Sequence, residues 1–150
     1  MGISYDDNNL YVLIKRSTVH VIDLAGEVIR DISLPSDSIS NVTVHRDRLV
    51  CINNTSVYCC LLNRQLMWKF EDNKYKRFLR VTTDNDGNVY VTDFNTNTVV
   101  VVSDNGGHFR EILAESDGMK YPFGIFFDKK EKGLLVSNFH SEKAFLFYEK

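Results

Sequence analysis

Three groups of residues in this 150-residue chain have types and spacings that could do chemistry. The first is Asp84-Asn85-Asp86-Gly87-Asn88, which has the look of the start of a calcium loop. Such a loop needs more oxygen ligands and a bidentate Glu near its twelfth position. That position holds Asn95, and Val89, Tyr90 and Val91 read as a strand in between. A tight turn with Gly87 at positive φ accounts for the segment better. Asp84, Asp93 and Asp128 recur at fixed places in a longer rhythm, as hydrogen-bonding turn residues do. They are read as structural.

The second group is nucleophiles and metal ligands. His20, His45, His108 and His140 fall at different phases: a third strand, the end of a first strand, a fourth strand and a loop between second and third strands. They give no reason to expect a shared metal. No Ser sits in a G-x-S-x-G elbow. Cys51, Cys59 and Cys60 are too few and too irregular for a disulfide framework or a zinc site. They are expected to be small buried hydrophobes. The sequence therefore predicts no catalytic residue, no metal ligand and no cofactor, and a metal-dependent hydrolase ranks third among the functional readings.

The third group carries the candidate site. In EDNKYKRFLR, residues 71–80, Lys74, Lys76, Arg77 and Arg80 interleave with Tyr75 and Phe78. Lys120 and Tyr121 in a later connector and His140 in a loop share the same predicted face. Cations for phosphates and rings for stacking are what single-stranded RNA binding needs. Glu71, Asp72, Glu115, Asp117 and Glu142 dilute the positive charge on that face. A protein partner is therefore the first reading, and RNA bound through residues 74–80 the second. These nine basic and aromatic residues are the predicted partner-binding set.

The elements that must position them repeat. Residues 2–6, 41–45, 80–84 and 124–128 align as GISYD, NVTVH, RVTTD and GIFFD, with starts 39, 39 and 44 apart. Each is followed by a second apolar run and a third. A fourth run appears three times, at 27–34, 65–70 and 108–113. Short β-branched and aromatic runs separated by Asp, Asn and Gly clusters are strands and turns. A period near 40 with four strands per unit is that of a β-propeller blade. The second runs LYVLI and RLVCI are apolar on successive residues, as expected of strands covered on both faces. The prediction is an all-β chain of four consecutive propeller blades, the last incomplete, with repeats at about 2–38, 39–78, 79–121 and 122–150.

Asp84 to Asp93, DNDGNVYVTD, followed by Asn97 and the valine-rich run 99–102, resembles an NHL repeat. The fourth unit resembles it through Pro122-Phe123-Gly124-Ile125, Asp128 and Gly133. Thr98 stands where that family has a basic residue, so a salt bridge from there to Asp93 is not expected. The set of repeats is similar to the C-terminal propeller of tripartite-motif (TRIM) proteins. That resemblance implies a recognition domain for protein or RNA in a longer ubiquitin-ligase protein, whose zinc-binding RING is not in this chain.

Composition agrees with a folded domain: 43% hydrophobic, 25% charged and a net charge of −2, which steers it toward neither nucleic acid nor acidic lipid. No apolar run approaches the roughly 20 residues that span a bilayer. The first residues lack the basic and apolar regions of a secretory signal, and with the odd cysteine count they favour a cytoplasmic setting. NHL propellers commonly have six blades, so an unclosed arc is expected. The missing blades are expected from a longer parent chain, with self-association second and a tight four-bladed closure third.

Overall fold

A computed structural model describes residues 2–148. Fifteen strands form four antiparallel sheets in strict chain order. Sheet 1 comprises β1 (Ile3–Asp6), β2 (Asn9–Ile14), β3 (Thr18–Ile22) and β4 (Val28–Ser33). Sheet 2 comprises β5 (Asn41–His45), β6 (Arg48–Ile52), β7 (Ser56–Leu61) and β8 (Leu66–Glu71). Sheet 3 comprises β9 (Phe78–Thr83), β10 (Val89–Asp93), β11 (Thr98–Val102) and β12 (Phe109–Leu113). A short 3-10 turn, Glu115–Asp117, leads to sheet 4, with β13 (Pro122–Asp128), β14 (Gly133–Asn138) and β15 (Ala144–Tyr148). The sheets are blades of a propeller arc that is not closed. Residues 149 and 150 of the predicted fourth repeat lie outside the described residues.

Alternation of side chains along each strand creates the junctions between blades. Tyr11, Leu13, Val19 and Val21 of sheet 1 meet Val42, Val44, Leu49 and Cys51 of sheet 2. Their strand neighbours Val50, Ile52, Val57 and Cys59 point the other way, onto Val81, Val89, Val91 and Val100 of sheet 3. Tyr90 and Val99 of sheet 3 then meet Phe127, Leu134 and Val136 of sheet 4. Every residue of β10 is buried, because both its faces are dry. In β2, by contrast, Tyr11 and Leu13 are buried while Leu10 and Val12 are only half-buried. The apolar run LYVLI has one covered face, because no described blade precedes it.

The first strands stand side by side around a central space of about 590 Å³. Hydrogen bonds tie each to the next. The Val44 amide donates to Ser4 Oγ (3.1 Å), the Val81 amide to Asn41 Oδ1 (3.1 Å), and the Phe127 amide to Thr82 Oγ1 (3.2 Å). The three cysteines are free and buried. Burial, with Cys59 beside it, pushes the Cys60 thiol up to about 11.

Two outcomes follow from this packing. Phe78 is fully buried between sheets 2 and 3, so Phe78→Ala should lower the unfolding free energy by about 3–5 kcal/mol in urea; a loss under about 1 kcal/mol contradicts the assigned packing. Because the thiolate is the reactive form, iodoacetamide at pH 8 should leave Cys51, Cys59 and Cys60 unmodified in the folded chain and label all three in urea.

Candidate functional site

Residues 71–80 do not lie on the surface as a continuous strip. β8 runs to Glu71 and β9 begins at Phe78, so the connector proper is short and Phe78 and Arg80 are strand residues. Tyr75 and Phe78, 1% and 0% exposed, turn inward into the junction between sheets 2 and 3. The physical reason is the seam beneath them: their rings lie 5.7 Å apart and close its rim. Neither ring is available to stack on a ligand. Lys74 is also engaged, with its Nζ 2.7 Å from Glu111 Oε2, and the Tyr75 hydroxyl donates to the same oxygen at 2.7 Å. Those two hydrogen bonds hold the Glu111 carboxyl below its ordinary range.

Other predicted residues do come together, around rings that the sequence reading left out of the set. Phe94, in the β10–β11 loop, packs on Tyr121 with ring centroids 4.9 Å apart, and on Phe139 at 6.0 Å. Phe139, in the β14–β15 loop, also meets Phe123 at 5.6 Å and His140 at 4.0 Å. Two guanidinium groups lie over this cluster. Arg77 is 4.9 Å from the Phe94 ring centre, and Arg80 is 4.4 Å from that of Phe123. Tyr121, Phe139 and His140 are exposed, as are Lys76, Arg77 and Lys120. Beside the rings opens a cleft of about 500 Å³ lined by Lys120, Tyr121, Phe139, His140 and Phe145.

Buried hydrogen bonds hold these loops. Asp93 is fully buried and accepts from the Arg77 amide (2.9 Å), the Thr96 amide (3.0 Å) and the Thr96 hydroxyl (2.7 Å). Thr96 Oγ1 is in turn 2.7 Å from Thr98 Oγ1. Neutral donors thus satisfy the carboxylate where a basic partner is lacking. Tyr121 sits at φ 50°, a left-handed conformation unusual for a bulky residue. Its amide donates to Asn97 Oδ1 (2.7 Å), and its carbonyl accepts from the Phe139 amide (2.8 Å). The connector and two loops are therefore stapled into one rigid face.

Asp84 likewise serves its own turn, accepting from the Asp86 and Asn88 amides and the Tyr90 hydroxyl. Asp128 accepts from the Lys130 and Glu131 amides. In the β13–β14 turn, at the other end of the first strands, Lys129 Nζ approaches His45 Nδ1 at 2.8 Å. Burial first, then the Lys129 charge, lowers the His45 pKa. Among the described residues, no three His, Cys, Asp or Glu side chains are placed to hold a metal ion. No described helix is long and apolar enough to cross a membrane.

No family model matches the chain, and no curated protein matches it in sequence. Solved structures do resemble it. Virginiamycin B lyase from Staphylococcus aureus superposes with a TM-score of 0.72 at 18% identity, over 99% of this chain and 55% of that one. The β-propeller domain of Cps50 (Swd1) from Myceliophteria thermophila gives 0.76 at 12% identity, over 99% and 53%. The computationally designed Ika4 protein gives 0.71 at 13%, over 98% and 89%. At these identities the likeness shows the fold, a β-propeller. The chain spans about half the length of the lyase and of the Cps50 domain.

Glu111 supplies a pH test of the site's geometry. Its acid is stronger folded than unfolded, so the unfolded chain binds more protons as pH falls through the carboxylate range. Stability present above its ordinary pKa of 4.5 should fall as pH drops below that value. Glu111→Gln should flatten this part of the stability–pH curve measured by urea unfolding. An unchanged curve contradicts the Lys74–Glu111–Tyr75 arrangement.

Proposed function

We propose that the chain is a non-catalytic recognition module that binds a protein partner through the face built by Arg77, Arg80, Phe94, Tyr121, Phe139 and His140. The observation that carries this reading is the aromatic cluster, exposed at Tyr121 and Phe139, with two guanidinium groups over Phe94 and Phe123 and an open cleft beside it. Rings and Arg are the side chains most enriched where binding energy concentrates. A rigid scaffold presenting loop residues limits the ordering cost of binding. Lys120 supplies a cation at the rim and exposed Lys76 adjoins Arg77 in the chain, which favours an acidic or mixed-charge partner.

The resemblance of residues 84–93 to an NHL repeat supports placing this module in a TRIM-like protein of the cytoplasm and the ubiquitin pathway. The ligase RING would lie outside these residues. RNA is the second reading, favoured by Lys120 beside two accessible rings and by Arg77 over the Phe94 ring that packs on them, with exposed Lys76 next to Arg77 in the chain. In that case Tyr121 and Phe139, not Tyr75 and Phe78, offer the stacking surfaces.

Peptide selection against the folded chain tests the proposal. Selected peptides should bind wild type and lose at least about tenfold in affinity, about 1.4 kcal/mol, on Tyr121→Ala with Phe139→Ala. Peptides that bind both proteins equally would sink the protein reading for this face. Oligouridine binding that weakens steeply with salt and depends on Lys76 and Arg77 would favour RNA instead.

A further inference from the structure

The two ends of the arc carry opposite halves of the same junction. Throughout the interior, one face of a blade is covered by the facing side of the next. Sheet 2, for example, offers sheet 1 the residues Val42, Val44, Leu49 and Cys51. The repeat puts Ile3, Tyr5, Leu10 and Val12 of sheet 1 at the same places, and their register confirms it: Ile3 lies opposite Val12 and Tyr5 opposite Leu10, as Val42 lies opposite Cys51 and Val44 opposite Leu49. Among the described residues no blade covers this face, and Ile3 is 62% exposed. At the other end, Phe126, Leu135 and Leu146 are register partners on one face of sheet 4. They too are exposed, Phe126 at 59%.

We infer that a second copy of this chain covers both faces, sheet 4 of each copy packing on sheet 1 of the other in a closed head-to-tail dimer. Two further observations favour this occupant. First, the four blades match 53% of the Cps50 propeller domain at a TM-score of 0.76. Their curvature is therefore that of about half a ring, and the remaining arc is about the size of one more copy. Second, the turns at the two ends are complementary in charge. Consecutive first turns touch inside the arc, where Asn85 Nδ2 donates to the Lys129 carbonyl at 2.9 Å. The same step beyond sheet 4 brings Lys130 and Lys132, accompanied by Glu131, toward Asp7 of the other copy, while Lys129 turns inward to His45 of its own chain.

The closing junction differs from the interior ones in one respect. Phe126 takes the place that Ser4 and Thr82 hold in their strands, so a ring replaces the hydroxyl that accepts at two of the three interior junctions. The contact between copies is apolar there. A head-to-tail contact either closes into a ring or continues as a filament, and the half-ring curvature selects closure.

Sedimentation equilibrium of the 150-residue chain tests this. The expected mass is twice the 17.3 kDa of one chain, with no larger species as concentration rises. Ile3→Glu and Leu135→Glu place a carboxylate on opposite ends of the arc, at exposed positions that leave the interior packing alone. Each should give a monomer with unchanged far-ultraviolet circular dichroism. A monomeric wild type overturns the proposal and leaves the faces to blades from a longer chain. So does a variant that stays dimeric, which puts the contact elsewhere or pairs like faces, and so does an open-ended polymer. Peptide binding at the connector face in the same variants reads the proposed function separately.

Discussion

A propeller blade is an apolar sheet with two faces, and each face needs another blade against it. Leaving one Leu- or Phe-sized side chain in water forfeits roughly 1.5–3 kcal/mol, against a total stability of about 5–15 kcal/mol for a domain. Sheets 2 and 3 meet this need on both sides, and β6, β7 and β10 are buried nearly throughout. Sheets 1 and 4 meet it on one side. The same requirement thus makes the interior stable and leaves the ends of the arc ready to associate.

The connector face depends on that interior. Tyr75 and Phe78 spend their rings on closing the seam between sheets 2 and 3, which fixes the backbone on either side of Arg77. Asp93, buried at the end of β10, then accepts the Arg77 amide and the Thr96 donors. A loop tied at both ends in this way can hold Phe94 under the Arg77 guanidinium without losing much freedom when a partner arrives. Core packing and the candidate site are consequently one construction, and the lysines and arginines outside it differ in role. Lys74 is consumed by Glu111, whereas Lys76 and Lys120 face solvent.

The strand rhythm was legible because turn clusters punctuate it at a nearly constant interval. In the interior sheets the strand residues alternate between two dry faces, and the unbroken apolar run in β6 shows that directly. The same signal misled in β2, where LYVLI looks identical yet has one open side: a sequence records what a face requires, not whether its neighbour is present. The turn roles of Asp84, Asp93 and Asp128 were also readable, since short carboxylates recur at strand ends, Asp84 and Asp128 closing first strands and Asp93 a second. The inward turn of Tyr75 and Phe78 was not. A ring between lysines can pack under the backbone or stand above it, and only the seam between sheets decides. Phe94 and Phe139 were within reach, because each follows the last residue of a second strand (Asp93 and Asn138) and both loops fall on the same face. Their convergence with Tyr121 depends on a left-handed backbone at that residue, which no local pattern announces.

Native-state hydrogen exchange, at concentrations too low for association, tests the central claim most directly. Amides of β6, β7, β10 and β11, whose sheets are covered on both faces, should exchange slowest, close to the global unfolding limit. Those of β2, β3 and β14 should open more readily, each sheet having one bare face. Equal protection across all four sheets, or the slowest exchange in sheet 1 or sheet 4, would contradict an arc whose blades are stabilised by their neighbours.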